Sequence, residues 1–300
     1  MDLTEKCKGE APEMVEKTNL NMSAVGRVAV AGLGEMGGKV VDAVRKTMLG
    51  SEDILFRTFD SNGVLKEASV SLFSDQQRSE IVSLLGEKTE ALLLVSALSD
   101  STEWQMAKEI GGMAAEARKH RGDDGNDLLV VGVWALALDG KDDESLELLG
   151  EMFDVTMIVG AHDGDAKDDG VVGGAGEMVE CLVGMFDSRQ MMTLSTQELR
   201  EFADGKVLEL YVGEAQGEER GQKAMDSALK RMADGRATTR VLAQFCCSTT
   251  HEMTMDELWS ATGILLKKKG LVENEALWLT TMVETMGEEL RVRLLVPRND

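Results

Sequence analysis

Proline is nearly absent from this chain, and cysteine, histidine and aromatic residues are scarce. The 300 residues include two prolines, four cysteines and three histidines, and aromatic residues make up 4%. The cysteines form no CxxC pair and the histidines share no metal-ligand spacing, so we expect reduced structural thiols and no metal site. No apolar run reaches the ~18 residues of a membrane span, and residues 1–25 lack a signal-peptide core. These features predict a cytoplasmic protein.

Positive charge is also in short supply. Lys and Arg total 32 against 54 Asp and Glu, which gives a formal net charge of −22. A phosphate backbone or an anionic membrane surface would repel such a chain, so we expect neither nucleic-acid binding nor direct membrane binding. Hydrophobic residues make up 43%, enough for two domains with their own cores. The partner that we expect is therefore a protein.

Short apolar runs alternate with helical patterns in the first half of the chain. This alternation predicts an α/β domain with a Rossmann-type parallel sheet covered by helices on both faces. A helical stripe near 175–186 follows, and the order β-α-β-α-β-β then predicts a smaller α+β domain with a mixed sheet and helices on one side. The predicted divisions are an N-terminal extension (1–25), the parallel-sheet domain (26–172), a central helix and linker (173–204) and the C-terminal domain (205–300).

A glycine-rich turn lies between the first predicted strand and the first predicted helix. Its glycines are Gly32, Gly34, Gly37 and Gly38. Glycine allows the backbone to approach a phosphate closely, and the following helix N-terminus offers free N–H groups. Asp60 ends the next predicted strand, where a Rossmann dinucleotide site keeps its ribose-binding acid. The turn predicts either a nucleotide phosphate site or a tight strand–helix connection without a ligand.

Two known families resemble this opening. The string GLGEMG is similar to the start of beta-hydroxyacid dehydrogenases, which bind NAD(P). The FtsZ/tubulin superfamily also has a Gly-rich turn here, and later segments resemble that superfamily in the same order. These segments are 91–97, 128–134, 146–160, 218–229, 252–258 and 286–296. A beta-hydroxyacid dehydrogenase would need an all-helical second half, which the predicted strands contradict.

The chain is therefore identified as a divergent, non-canonical member of the FtsZ/tubulin superfamily, and it departs from the family pattern at the phosphate loop. The family loop GGGTGTG aligns with residues 99–105, where the glycines are lost and Asp100 and Glu103 stand instead. Each carboxylate ~4 Å from a phosphate charge would cost about 4 kcal/mol at an effective dielectric of ~20. If a nucleotide binds, Ser101 and Thr102 would hold it together with the four glycines. Alternatively, the segment is only a helix N-cap.

The catalytic loop of the family is altered too. In FtsZ-type proteins a loop reading NLDFAD enters the nucleotide site of the next subunit, and its aspartates polarise water. Ser195 and Glu198 take the two aspartate positions here. Serine cannot act as a carboxylate base. The spacing S-x-x-E also predicts a capping box that opens a helix, so we expect no catalytic residue and no GTPase activity.

Retained fold segments and lost site residues together imply a pseudo-GTPase. We expect it to act as a cytoskeletal or cell-division scaffold or regulator, with no required cofactor, although GTP or GDP binding is possible. Its partner would be a second copy or a true FtsZ-type filament. Two alternatives stay open: a GTP-binding switch or filament protein without efficient hydrolysis, and an NAD(P)-binding Rossmann oxidoreductase.

Overall fold

The structure is a computed structural model of the chain. It describes residues 27–48, 54–60, 72–121, 128–135, 143–159, 168–187, 190, 192–232, 238–272, 275–283 and 286–298. The expected N-terminal extension (1–25) lies outside the described residues. Where the structure describes the chain, none of its helices is both long enough and apolar enough to cross a membrane.

The first half has the predicted alternation of strands and helices. The elements are β1 (Arg27–Leu33), α1 (Gly34–Thr47), β2 (Ile54–Phe59), α2 (Asp75–Leu84), β3 (Thr89–Ser96), α3 (Ser101–His120), β4 (Leu129–Trp134), α4 (Asp143–Met152) and β5 (Val155–Ile158). Strand β4 is buried at every position, as expected for a parallel strand covered on both faces. Helix α1 buries Val40, Val41 and Val44, whose spacing places them on one face.

The second half carries the predicted mixed sheet. Its elements are α5 (Asp168–Phe186), α6 (Thr196–Ala203), β6 (Val207–Ala215), α7 (Arg220–Arg231), β7 (Val241–Cys247), α8 (Met255–Lys269), β8 (Ala276–Met282) and β9 (Leu290–Pro297). Strand β9 runs antiparallel to β6 and to β7, whereas β7 and β8 are parallel. The α/β class with a smaller mixed-sheet half is confirmed.

The two sheets are joined, which the sequence analysis did not foresee. Strand β6 pairs in parallel with β5 through Thr156 and Val207, so the described strands form one sheet in the order β2-β1-β3-β4-β5-β6-β9-β7-β8. The pairing satisfies backbone groups that two separate sheets would each leave exposed at an edge.

Helix α5 packs against both halves of this sheet. Its apolar face shares one core with Val40 of α1 and with Leu242 and Leu295 of the C-terminal strands. Helices α7 and α8 cover the opposite face of those strands. The two helices within the C-terminal half thus lie on one side of its sheet, as expected, and the central helix covers the other side.

A buried ion-pair cluster adds polar ties to this packing. Arg293 of β9 is 3% exposed, and its Nη2 lies 2.7 Å from Glu177 Oε2 and 2.9 Å from Glu180 Oε2, both on α5. Thr47 Oγ1 of α1 donates to Glu180 Oε1 at 2.7 Å. Through these bonds the cluster connects the first helix, the central helix and the C-terminal sheet. Each charged side chain in it lies beside one of opposite charge.

Candidate functional site

The candidate site lies where the strand order reverses. Strand β1 pairs with β2 on one side and with β3 on the other. The chain leaves β1 into α1 and leaves β3 into α3, so two helix N-termini meet at the carboxyl ends of these strands. Open parallel sheets bind ligands at such a switch point. The structure thus brings together the glycine turn and residues 99–103, which the sequence placed far apart.

Two glycines of the turn serve the packing of α1 on the sheet. A Cβ atom on Gly32 would lie 2.3 Å from the carbonyl oxygen of Gly37, and one on Gly37 would lie 2.4 Å from the carbonyl oxygen of Val95. Both contacts are far inside van der Waals separation. Gly32 and Gly37 are therefore required by close helix–strand contact, whether or not a ligand binds.

Gly34 has a different neighbour, the carboxylate of Glu103. Gly34 has φ of +65°, and a Cβ atom on it would lie 2.0 Å from Glu103 Oε1. The carboxylate thus fills the space that the missing side chain leaves at the start of α1. The N-cap residue Leu33 supplies no side-chain hydrogen bond there, and the positive end of the helix dipole favours an adjacent carboxylate.

Glu103 is held in this position by hydrogen bonds on its other oxygen. It is 8% exposed, and its Oε2 accepts from Ser96 Oγ at 2.9 Å and from the Ser99 backbone N–H at 3.0 Å. The carboxylate therefore joins the end of β3, the start of α3 and the glycine turn. We call Glu103, Ser96, Ser99 and Gly34 the carboxylate cradle.

Asp100 accepts from two further backbone donors at the start of α3. Its Oδ1 accepts from the backbone N–H groups of Thr102 at 2.8 Å and Glu103 at 2.9 Å. Together with the Ser99 N–H, these are backbone donors of the kind that bind a phosphate at a helix start. All three are already bonded to carboxylates of the chain itself, so the start of α3 does not offer them to a nucleotide phosphate in this structure.

Leu98 shows how the loop before α3 adapts to this arrangement. It adopts φ of +49°, in the left-handed region that favours glycine, and its side chain is buried at 5% exposure. Its backbone N–H donates to Ser96 Oγ at 3.0 Å. The same serine therefore holds the loop through Leu98 and the carboxylate through Glu103.

The other residues considered for nucleotide binding lie in more open surroundings. Ser101 is exposed and Thr102 is half-buried in the first turn of α3. A Cβ atom on Gly38 would meet only Thr58 Cγ2, at 3.9 Å. Asp60 is exposed at the end of β2, and its carbonyl accepts from Gln77 Nε2 at 3.0 Å.

The catalytic-loop residues lie at the start of another helix, α6. Ser195 is its N-cap, Ser195 Oγ accepts from the Glu198 N–H at 3.2 Å, and Glu198 Oε2 accepts from the Ser195 N–H at 2.8 Å. This is the capping box that the S-x-x-E spacing indicates. Hydrogen bonds from the backbone and side chain of Ser195 hold the pKa of Glu198 below its usual value. A base with a lowered pKa takes up a proton less readily.

Metal-binding side chains do not gather anywhere in the described ranges. Among those residues no group of three or more His, Cys, Asp or Glu side chains is placed to hold an ion. Burial raises the pKa of the Cys181 and Cys246 thiols, which keeps them protonated.

Several solved structures resemble this arrangement over most of their length. An FtsZ point mutant from M. jannaschii matches with a TM-score of 0.65 and 16% identity over 91% of both chains. An empty FtsZ dimer from M. jannaschii matches with a TM-score of 0.66 and 16% identity over 91% of this chain and 88% of that chain. The chain has the FtsZ/tubulin fold. CetZ2 from Haloferax volcanii, solved as a GTPgS-bound protofilament, matches with a TM-score of 0.61 and 14% identity over 91% of this chain and 94% of that chain.

The likeness lies in the fold rather than in the sequence. No protein-family model and no curated protein matches the chain. The FtsZ/tubulin fold agrees with the resemblance that the sequence segments indicated. The four strands β6 to β9 also differ from the all-helical second half that a beta-hydroxyacid dehydrogenase requires.

Sequence reasoning missed the role of Glu103. It treated this residue as a charge that would repel a phosphate, whereas the carboxylate lies in the space beside Gly34. The available signal was a Glu in the first turn of a helix that begins with an Asp N-cap, because a second carboxylate is then free to turn inward. Ser96, which ends β3, gave no signal of its own.

Proposed function

We propose that this chain is a pseudo-GTPase of the FtsZ/tubulin fold that acts as a cytoskeletal scaffold or as a regulator of an FtsZ-type filament. The observation that carries the proposal is the carboxylate cradle. Glu103 fills the space beside Gly34, and Asp100 takes two further backbone donors at the start of α3. The chain thereby supplies its own anions where a nucleotide would bring phosphates.

Electrostatics supports this reading. A triphosphate carries about four negative charges, and each approach of ~4 Å to a carboxylate costs about 4 kcal/mol at an effective dielectric of ~20. The cost of one such pair corresponds to a loss of roughly two to three decades in affinity. The nucleotide would also have to break the hydrogen bonds that Glu103 and Asp100 already make.

The catalytic loop supports the absence of hydrolysis. Ser195 lacks a carboxylate, and the carboxylate of Glu198 accepts a hydrogen bond from the backbone N–H of Ser195 at the start of its own helix. A subunit of this kind would present the fold's surfaces to other subunits without turning over nucleotide. The relatives solved as a dimer and as a protofilament make association with similar subunits the interaction to test first.

Sedimentation with an active FtsZ-type filament tests the proposal. We expect the chain to change the yield or length of the polymer, and we expect the chain alone to release no phosphate from GTP. Glu198→Gln serves as a control that should behave like the parent, because its carboxylate has no catalytic part in this proposal. Unchanged polymer under all conditions would contradict the scaffold role, and hydrolysis by the chain alone would contradict the pseudo-GTPase assignment.

A GTP-binding switch without hydrolysis is the second candidate. The observation that favours it is the start of α1, which has no side-chain cap. Guanine nucleotide binding without phosphate release would support this candidate instead.

A further inference from the structure

An apolar groove lies between helix α8 and strand β8, far along the chain from the carboxylate cradle. Its volume is about 460 Å³, and two tryptophans and four methionines line it. Trp259 of α8 and Trp278 of β8 meet edge to face, with ring centroids 6.4 Å apart. Met192 enters from the segment between α5 and α6. We call this feature the α8–β8 groove.

The groove leaves large apolar side chains in contact with water. Met255 is 60% exposed, Trp259 is 57% exposed and Met192 is 46% exposed. Among the described tryptophans, Trp259 stands out as an exposed large hydrophobic residue. Tryptophan is enriched among residues that dominate binding energy, and methionine adapts its shape to a partner. A contiguous patch of these residues marks an interaction site.

The groove is built before any partner arrives. Arg220 of α7 is 8% exposed, and its Nε lies 2.8 Å from Glu257 Oε1 of α8. Its Nη2 also donates to the carbonyls of His251 at 3.0 Å and Glu252 at 2.9 Å. The loop before α8, which forms one wall, is thus fixed by a buried cation. A partner would lose little binding energy to ordering this wall.

The charged residues at the groove are acidic, which favours partners of positive charge. Glu252 is the one charged residue among the described residues that line it, and the neighbouring Asp256 is also exposed. The whole chain carries a formal charge of −22. The charge at the groove is negative, so a segment with Lys or Arg beside its apolar side chains would be attracted to it.

We propose that the α8–β8 groove binds a short segment of a protein partner that combines large apolar side chains with Lys or Arg. This inference rests on the proposed scaffold function and adds the chemistry of the partner. Because Met192 lies three residues before Ser195, a bound segment would lie beside the start of α6. The groove does not depend on what binds at the cradle, so each inference can fail alone.

A phage-displayed library of random 16-residue peptides is the probe that tests this proposal. Selection on the parent protein should enrich peptides of net positive charge with at least two large apolar residues. Trp259→Ser and Met255→Ser should each weaken the enriched peptides by at least ~10-fold, as expected for residues that dominate an interface. Val272→Ser is the matched control, because Val272 is 57% exposed and does not line the groove. It should bind as the parent does.

Other outcomes would overturn the proposal. Both groove substitutions fall on exposed side chains, and unchanged melting temperatures would establish that the variants are folded. Failure to enrich any binder, enrichment of neutral or acidic peptides, or equal binding by the Trp259→Ser variant would each contradict it. Self-association that disappears in the Trp259→Ser variant would make a second copy the occupant. None of these outcomes bears on nucleotide binding, so the pseudo-GTPase assignment is tested separately.

Discussion

Helices α3 and α6 both carry a glutamate in the first turn, but the two carboxylates have different hydrogen-bond partners. Glu103 and Glu198 are each the third residue of their helix. Glu198 turns back to the backbone of its own N-cap residue and is exposed. Glu103 turns inward, is buried, and bonds to Ser96 at the end of another element.

The N-cap residue accounts for the difference. Ser195 bonds only one of the first N–H groups of α6, so a reciprocal bond from Glu198 completes the cap. Asp100 bonds two N–H groups of α3 by itself. Glu103 is thus released from local capping and can fill the space beside Gly34. One glutamate stabilises a helix end, and the other connects three elements at the candidate site.

Gly34→Ala should have the largest effect on stability. Its Cβ atom would overlap a carboxylate that two hydrogen bonds hold in place, and its φ is unfavourable for alanine. We expect a loss of about 2–4 kcal/mol in the free energy of unfolding, measured by urea denaturation. Gly38→Ala is the matched control in the same helix. Because space is open there, we expect no loss and a gain of up to about 1 kcal/mol.

Glu103→Ala should come next, because it leaves the Ser96 hydroxyl and the Ser99 N–H without their acceptor. At roughly 1–1.5 kcal/mol for each hydrogen bond, we expect a loss of about 2–3 kcal/mol. The double variant Gly34→Ala/Glu103→Ala should lose less than the sum of the single losses, since the overlap disappears with the carboxylate. Strictly additive losses in the urea experiment would mean that the carboxylate does not lie beside Gly34.

Asp100→Ala and Ser195→Ala compare the two N-caps directly. Each substitution should cost about 1 kcal/mol, and Asp100→Ala should cost more because its carboxylate bonds two N–H groups. Thermal unfolding of both variants measures the difference. The reverse order would show that α3 does not depend on Asp100 for its cap.

Glu198→Gln should have the smallest effect, and that effect should depend on pH. The pKa of Glu198 is below its usual value in the folded chain because Ser195 donates hydrogen bonds to the carboxylate. Its contribution is present above the unfolded-state pKa and is lost as pH falls through the folded-state pKa. The stability difference between parent and variant, below about 0.5 kcal/mol near neutral pH, should therefore vanish in acid. A difference that grows on acidification would reverse the assigned sign.

Helices and strands could be predicted from the sequence because the spacing of apolar residues indicates which faces are buried. The spacing of Val40, Val41 and Val44 indicated α1, and the uninterrupted apolar run of β4 indicated a fully covered strand. The β5–β6 pairing was not readable, because no local pattern reports which strand edges meet.

Only the local part of the candidate site could be predicted from the sequence, because no local pattern shows which distant segments meet. The capping box of α6 is local, and its spacing indicated it. The cradle joins Gly34 to Glu103, residues of two elements that only the strand order brings together. The exposed groove at Trp259 was also missed, since methionine-rich segments read equally well as core. What the sequence could not predict was which distant segments come into contact.

Calorimetric titration of the parent protein with GTP, with and without magnesium, tests the central claim most directly. The claim is that Glu103 and Asp100 already occupy the position of the phosphates. We predict no heat of binding beyond dilution, for GTP and equally for GDP and NADH. Saturable GTP binding at micromolar affinity would contradict the claim, because it would require both carboxylates to leave the donors that they hold in this structure.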